Sequence, residues 1–156
     1  MIKVLFVCLG NICRSPMAEA YFRDLVKKEG LEKQIFVDSA GTGNWHVGEG
    51  PHHGTEEILR KNQISTDGLI ARQIAREDLE EFDYIIAMDS SNINNIKKLS
   101  NSFPKEKVHV LLDFVPHRKD KNVPDPYFTG NFVEVYEMVQ EGCQQLLNHI
   151  KMNDLA

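Results

Sequence analysis

The sequence predicts an α/β fold built on a parallel sheet. Short apolar runs alternate with amphipathic segments of helical periodicity along a chain of 156 residues, which is the pattern of strands joined by right-handed helical crossovers. The first run, residues 3–7, has no polar alternation and is therefore expected to lie inside the sheet, with helices on both faces. The length fits a single domain that spans residues 1–156.

The N-terminal half predicts two strands and two helices. Ser15 and Pro16 predict a helix start, because serine is a favoured N-cap and proline is tolerated at the first helical position, and Gly30 predicts the end of that helix. Its apolar side chains recur at helical spacing: Ala18, Tyr21, Phe22, Leu25 and Val26. The next predicted segments are a strand at residues 35–37, a glycine-rich loop at 41–51 and a short helix at 55–61. Residues 63–72 are ambiguous.

The C-terminal half predicts two more strands and ends in the clearest helix. The predicted segments are a helix at residues 77–82, a strand at 84–88, a helix capped by Asp89 or Ser90, a strand at 108–112 and a proline-containing loop at 116–126. The last helix spans about residues 132–150, where one face carries Phe132, Val135, Tyr136, Val139, Cys143, Leu146, Leu147 and Ile150.

Composition and charge argue against several classes of function. The chain carries 18 Lys and Arg against 23 Asp and Glu, a net charge of −5, and no basic block, which argues against nucleic acid as a partner. No apolar run approaches the roughly 20 residues needed to cross a bilayer, and no secretory signal is recognisable. The expectation is therefore a cytoplasmic protein with no membrane partner. Three cysteines, an odd number, argue against a disulfide framework.

The segment 8–15 (CLGNICRS) joins the first predicted strand to the first predicted helix. Open α/β sheets bind ligands at this place, where backbone N–H groups and the helix N-terminus favour an anion. Gly10 permits a tight turn. The sequence therefore predicts a phosphate-binding loop after strand 1.

Two side chains would make this loop reactive. A cysteine reacts as the thiolate, which helix N-termini and neighbouring cations stabilise, so Cys8 is a candidate nucleophile rather than a buried strand-end thiol. Arg14 offers a planar fork that fits two phosphate oxygens. Ser15 has two alternative roles, a hydrogen bond to the sulfur or a helix cap. Cys13 either packs inside the loop or forms a reversible disulfide with Cys8, and Cys143 is expected in the core.

The stretch VCLGNICRSPMAEA resembles the signature of the low-molecular-weight protein tyrosine phosphatases. Five further segments resemble family segments in family order: residues 38–42 (DSAGT), 45–48 (WHVG), 71–73 (ARQ), 83–89 (DYIIAMD) and 123–127 (VPDPY). The resemblance implies a four-stranded parallel sheet flanked by helices, a cysteinyl-phosphate intermediate, and no metal or other cofactor.

The resemblance also implies the catalytic roles. Cys8 is the expected nucleophile, Arg14 binds phosphate, and Asp125 is the general acid, although an Asp-Pro pair is otherwise a common turn. A tyrosyl leaving group has a pKa near 10, so protonation by a carboxylic acid assists its departure. The expected partners are phosphotyrosyl proteins, with inorganic phosphate or vanadate as competitive ligands.

The remaining site residues are predicted from the same resemblance. Those expected to bind substrate are Leu9, Gly10, Asn11, Ile12, Cys13, Ser15, Trp45 and Tyr127, of which Leu9, Trp45 and Tyr127 form the rim around an aryl phosphate. Those expected to support the loop by hydrogen bonds are Asn11, Ser15 and Ser39. Many relatives have a histidine in this network where the chain has Leu69, which predicts thinner polar support.

Three other functions remain as alternatives. Protein arginine phosphatases have a similar loop, but with threonine where this chain has Ile12. Related arsenate reductases need further thiols, and no cysteine lies between Cys13 and Cys143. A non-catalytic phosphopeptide-binding module would need neither nucleophile nor acid.

His46, His52 and His53 lie close together in sequence, but they lack the regular spacing of metal ligands. The three are predicted to be solvated loop residues.

Overall fold

The computed structural model describes residues 1–155 and confirms the predicted fold class. Four strands pair in parallel in the order β2-β1-β3-β4. The elements are β1 Ile2–Cys8, α1 Arg14–Lys28, β2 Ile35–Gly41, α2 His53–Lys61, α3 Asp78–Glu81, β3 Tyr84–Ala87, α4 Ser90–Lys97, β4 Val108–Val110, a 3₁₀ turn Leu111–Phe114, α5 Pro126–Thr129 and α6 Phe132–Asp154. Among the described residues, no helix has the length and apolar character needed to cross a bilayer.

Strand β1 lies at the centre of the core because its side chains feed two apolar clusters. Val4 and Phe6 pack with α1, α2 and α6 on one face, whereas Leu5 and Val7 pack with α3 and α4 on the other. These four side chains are fully buried. An uninterrupted apolar strand therefore has helices on both faces, as predicted.

Two predicted element boundaries are wrong in ways that have a physical reason. Helix α1 begins at Arg14 with Cys13 in the N-cap position, so Ser15 and Pro16 lie inside the first turn. Ser15 is not the helix cap, because its hydroxyl forms hydrogen bonds within the loop instead. The predicted fourth strand stops at Val110, and Leu111 and Leu112 enter the 3₁₀ turn. Both leucines are fully buried, so an apolar pattern alone does not separate them from a strand.

The sheet brings the predicted site segments to one edge. Strand β1 pairs with β2 up to Cys8 and Gly41, and β3 ends at Ala87 beside Val7. The segments that follow these strands therefore meet at the carboxyl edge. Gly41 allows a close approach there, since a Cβ at this position would lie 2.9 Å from the Leu9 carbonyl oxygen.

Candidate active site

The loop between β1 and α1 is fixed by the side chain of Asn11. Asn11 adopts a left-handed conformation with φ of 57°, which asparagine tolerates better than most residues. Its Oδ1 accepts from the Arg72 backbone N–H at 3.0 Å, and its Nδ2 donates to Ser15 Oγ at 2.7 Å and to Ser39 Oγ at 3.0 Å. All these contacts are buried or partly buried, so the loop is held from within the protein.

This network determines the direction of the hydrogen bond at Cys8. The amide of Asn11 uses both of its N–H groups on the two serine hydroxyls, so each hydroxyl has its own proton free to donate elsewhere. Ser15 Oγ lies 3.0 Å from Cys8 Sγ. Ser15 can therefore donate to the sulfur when Cys8 is a thiolate, and a hydrogen bond donated to a thiolate favours the charged form.

Arg14 lies beneath the loop and is 2% exposed. Its Nη1 donates to Asp89 Oδ2 at 2.6 Å and to the Val123 carbonyl at 2.8 Å, while its Nη2 lies 3.5 Å from Asp125 Oδ2. Burial works to lower the Arg14 pKa, but the Cys8 thiolate, Asp89 and Asp125 raise it above its ordinary value. The guanidinium thus stays charged beside the thiol.

One buried donor of Arg14 has no partner. Its Nε lies out of contact with solvent and makes no hydrogen bond to the described residues. A buried N–H without an acceptor costs about 1–3 kcal/mol. An oxyanion in the loop would supply that acceptor, which is what a phosphate site requires.

A cavity of about 390 Å³ opens over Cys8. Its lining comprises Cys8, Leu9, Gly10, Ile12, Cys13, Trp45, His46, Asp125, Tyr127 and Phe128. Three aromatic side chains at its mouth are exposed by more than half of their area: Trp45, Tyr127 and Phe128. The inner end of the cavity, at Cys8 and the loop, is suited to an anion. The aromatic mouth is suited to a flat apolar group.

Asp125 reaches the cavity from the other end of the chain. It caps the short helix α5, where its Oδ1 accepts from the Tyr127 N–H at 3.1 Å. Its Oδ2 faces Arg14. One carboxylate oxygen therefore fixes the side chain, and the other is directed to the site.

The sequence model of the family described as low molecular weight phosphotyrosine protein phosphatase matches residues 3–155. The chain belongs to this family. A match of this extent covers every element of the fold and the whole candidate site.

Relatives of the chain carry names from the same phosphatase family. The chain is 56% identical over 151 residues to the low molecular weight protein-tyrosine-phosphatase YfkJ of Bacillus subtilis, covering 97% of each chain. It is 48% identical over 150 residues to PtpA of Staphylococcus epidermidis, covering 96% of this chain and 94% of the relative.

Solved structures of this phosphatase fold superpose closely. The crystal structure of YfkJ has a TM-score of 0.97 at 55% identity, covering 99% of this chain and 97% of that one. The structure of DARP, a Drosophila arginine phosphatase, has a TM-score of 0.87 at 37% identity, covering 98% of this chain and all (100%) of that one. YfkJ is named a protein-tyrosine-phosphatase and DARP an arginine phosphatase, and both share this scaffold, so side chains at the site must decide the substrate.

The two loop cysteines of this low-molecular-weight phosphatase differ in environment. Both are buried and free. Burial, followed by the charge of Cys8, raises the pKa of the Cys13 thiol to about 12. Cys13 is thus protonated at neutral pH, and a protonated thiol is a poor nucleophile. A Cys8–Cys13 disulfide stays a prediction. Cys143 is fully buried in the core, as predicted.

The loop network extends further than the sequence predicted. Leu69 is buried in the core and adds nothing polar. Ser39 instead donates to the carboxylate of Glu19, which also pairs with Arg23. Burial raises the Glu19 pKa, and the hydrogen bond from Ser39 and the charge of Arg23 oppose that shift. The expectation of thinner polar support stays a prediction, and the network continues beyond Ser39 to a buried carboxylate.

Several site residues were missed or misjudged from sequence. The sequence predicts Asp89 only as a helix cap, although its position two residues after the end of β3 places it at the binding edge. Glu19 lies on α1 one turn after Ser15. Its place in the site could be predicted only by knowing which face of α1 packs against β2. Phe128 follows the predicted rim residue Tyr127 and also lines the cavity.

The three histidines are not equivalent. Within residues 1–155, no cluster of three or more potential metal ligands occurs. The His53 side chain is 88% exposed, as predicted for a solvated residue. That prediction is wrong for the other two: His52 stacks on Phe132 with ring centroids 5.0 Å apart, and His46 lines the cavity.

Proposed function

We propose that the chain hydrolyses phosphotyrosine in proteins through a cysteinyl-phosphate intermediate on Cys8. The observation that carries this proposal is a sulfur 3.0 Å from the Ser15 hydroxyl in an anion-binding loop, together with a buried guanidinium at the start of the following helix whose Nε lacks an acceptor among residues 1–155. The family match supports the same chemistry. Cys8 therefore acts as nucleophile and Arg14 as the phosphate ligand.

In the first step, the Cys8 thiolate attacks phosphorus. A sulfur–phosphorus bond forms while the bond from phosphorus to the tyrosyl oxygen breaks, and the electron pair of that bond passes to the oxygen. Asp125 donates its proton to this oxygen, so tyrosine leaves as the neutral phenol. We assign this transfer to Oδ2, because Oδ1 accepts from the Tyr127 N–H and Asp125 lines the cavity.

In the second step, water replaces the sulfur. The Asp125 carboxylate removes a proton from the water, whose oxygen attacks phosphorus, and the sulfur–phosphorus bond breaks to return the Cys8 thiolate. Arg14 and the loop N–H groups stabilise the charge that spreads over the phosphoryl oxygens in both steps. Asp89 and the Val123 carbonyl hold the guanidinium in position for this.

The lining of the cavity favours an aryl phosphate. Trp45 and Tyr127 stand at the mouth, and Leu9 and Ile12 lie further in, so the substrate ring would contact mostly carbon. Phosphate or vanadate would occupy the same loop as competitive ligands. The three free cysteines fit a reducing cytoplasm, which we include in the proposal.

Phosphoarginine is the rival substrate, because DARP shares the scaffold. The guanidinium of phosphoarginine carries N–H groups that need acceptors when buried. Ile12 presents only carbon to the cavity, which favours the phenyl ring.

Matched peptides that differ only in phosphotyrosine or phosphoarginine test this choice. We expect kcat/KM for phosphate release to be at least about tenfold higher for phosphotyrosine, equivalent to about 1.4 kcal/mol of discrimination. Ile12→Thr, which adds a hydroxyl acceptor, should narrow this ratio. Equal turnover of both peptides by the wild-type chain would contradict the assignment of phosphotyrosine as the substrate.

A further inference from the structure

Among the described residues that line the cavity, His46 is the one that can carry a positive charge. The other polar side-chain groups there are the two thiols, the Asp125 carboxylate, the Trp45 indole N–H and the Tyr127 hydroxyl, and the rest of the lining is apolar. Arg14 lies beneath the loop and is not part of the lining. A basic group at a mostly apolar cavity mouth favours the binding of a negatively charged ligand.

The ring of His46 is held in one orientation. Its Nδ1 lies 3.2 Å from Glu49 Oε2. Its edge packs on Gly10, where a Cβ would lie 3.1 Å from the ring Cδ2, and its centroid is 6.3 Å from that of Tyr127. The imidazole therefore lies between the phosphate-binding loop and the aromatic rim.

The turn that carries His46 is fixed to the rest of the protein. The Gly48 N–H donates to the Ala71 carbonyl at 2.9 Å, and the Ala71 N–H donates to the Glu49 carbonyl at 2.8 Å. The Glu49 N–H donates to the His46 carbonyl at 2.9 Å, and this hydrogen bond closes the turn. Since both His46 and its partner Glu49 sit on this turn, the ring orientation is preorganised.

Glu49 binds only one ring nitrogen of His46, so the second ring nitrogen is available to a ligand. With Nδ1 directed to the carboxylate, Nε2 has no hydrogen-bond partner within residues 1–155, and about a quarter of the side chain (26%) is exposed. The charged imidazole donates from both nitrogens. Nε2 can thus donate to a group outside the protein while Nδ1 stays bound to Glu49.

We propose that His46, oriented by Glu49, is a specificity-determining residue that binds an acidic side chain flanking the phosphotyrosine of the substrate. The inference rests on the proposed function, since the peptide must leave the cavity past the rim on which His46 lies. A carboxylate of Asp or Glu meets the free Nε2, while the phosphoryl group occupies the loop beneath.

The test compares phosphotyrosyl peptides that carry a single Glu or Gln at each position around the phosphotyrosine. The wild-type chain should prefer Glu over Gln at one flanking position by about two- to fivefold in kcat/KM, the size expected of a partly exposed ion pair. This ratio should approach one in His46→Gln and recover in His46→Lys. His53→Gln is the matched control, because His53 also faces a glutamate, Glu57 at 3.1 Å, but lies outside the cavity lining; it should keep the wild-type ratio.

The outcomes distinguish this inference from the proposed function. Equal turnover of Glu and Gln peptides by the wild-type chain, or a preference that survives in His46→Gln, would overturn the role of His46 while leaving phosphotyrosine hydrolysis intact. Absence of phosphate release from every phosphotyrosyl peptide would instead overturn the proposed function.

Discussion

Replacement of Cys8 by serine is expected to abolish turnover of p-nitrophenyl phosphate while phosphate binding persists. A serine hydroxyl has no base beside it to ionise it, since Ser15 is a donor to this position and Asp125 is occupied as the acid. The anion site consists of loop N–H groups and Arg14, which the substitution leaves in place. The substitution also removes the negative charge of the thiolate, which would otherwise repel the bound phosphate.

Phosphate binding to Cys8→Ser, measured by calorimetry, should therefore be at least as tight as binding to the wild-type chain. Cys143→Ala is the control, because it removes a cysteine from the core far along α6; per folded molecule it should retain turnover. Undiminished turnover by Cys8→Ser would exclude Cys8 as the nucleophile. Loss of phosphate binding together with turnover would show instead that the loop had collapsed.

Asp125→Asn is expected to slow hydrolysis of phosphotyrosine by about 10²- to 10⁴-fold, the usual contribution of general acid–base catalysis. Asparagine keeps the N-cap of α5, because its side-chain oxygen still accepts from the Tyr127 N–H. It cannot protonate the leaving oxygen. The loss in kcat/KM should be smaller for p-nitrophenyl phosphate, whose leaving group needs less protonation.

The dependence of kcat/KM on the leaving group measures this role directly, because kcat/KM reports phosphoryl transfer to Cys8. A series of aryl phosphates should give a steeper dependence of kcat/KM on leaving-group pKa for Asp125→Asn than for the wild-type chain. Asp120→Asn is the matched control in the same loop, where the carboxylate is exposed and accepts only the Asn122 N–H; its rates should equal those of the wild type. An unchanged rate for Asp125→Asn would remove Asp125 from the mechanism.

The parts of the fold that the sequence predicted well are those whose signal is local. The uninterrupted apolar run of β1 predicts burial on both faces, and the long apolar stripe of α6 predicts a core helix. The loop from Cys8 to Ser15 is contiguous, so its motif contains most of the anion site. These predictions needed no knowledge of which elements pack together.

The parts that were missed depend on contacts between distant segments. Asp89 reaches Arg14 only because β3 lies beside β1, and Glu19 reaches Ser39 only because α1 packs along β2. His46 was read as solvated because its contact with Gly10 brings together two loops far apart in sequence. The helix start at Arg14 was misplaced because Ser15 matches an N-cap in sequence, whereas in three dimensions its hydroxyl meets the Cys8 sulfur.

Trapping the covalent intermediate tests the central claim most directly. In Asp125→Asn, p-nitrophenyl phosphate should still transfer its phosphoryl group to Cys8, because the leaving group is good, whereas hydrolysis should be slow because no carboxylate activates water. Rapid denaturation followed by mass spectrometry should then find one phosphoryl group on the peptide that contains Cys8, released on longer incubation. A phosphoryl group on any other residue, or steady p-nitrophenol production with no covalent adduct, would contradict the account.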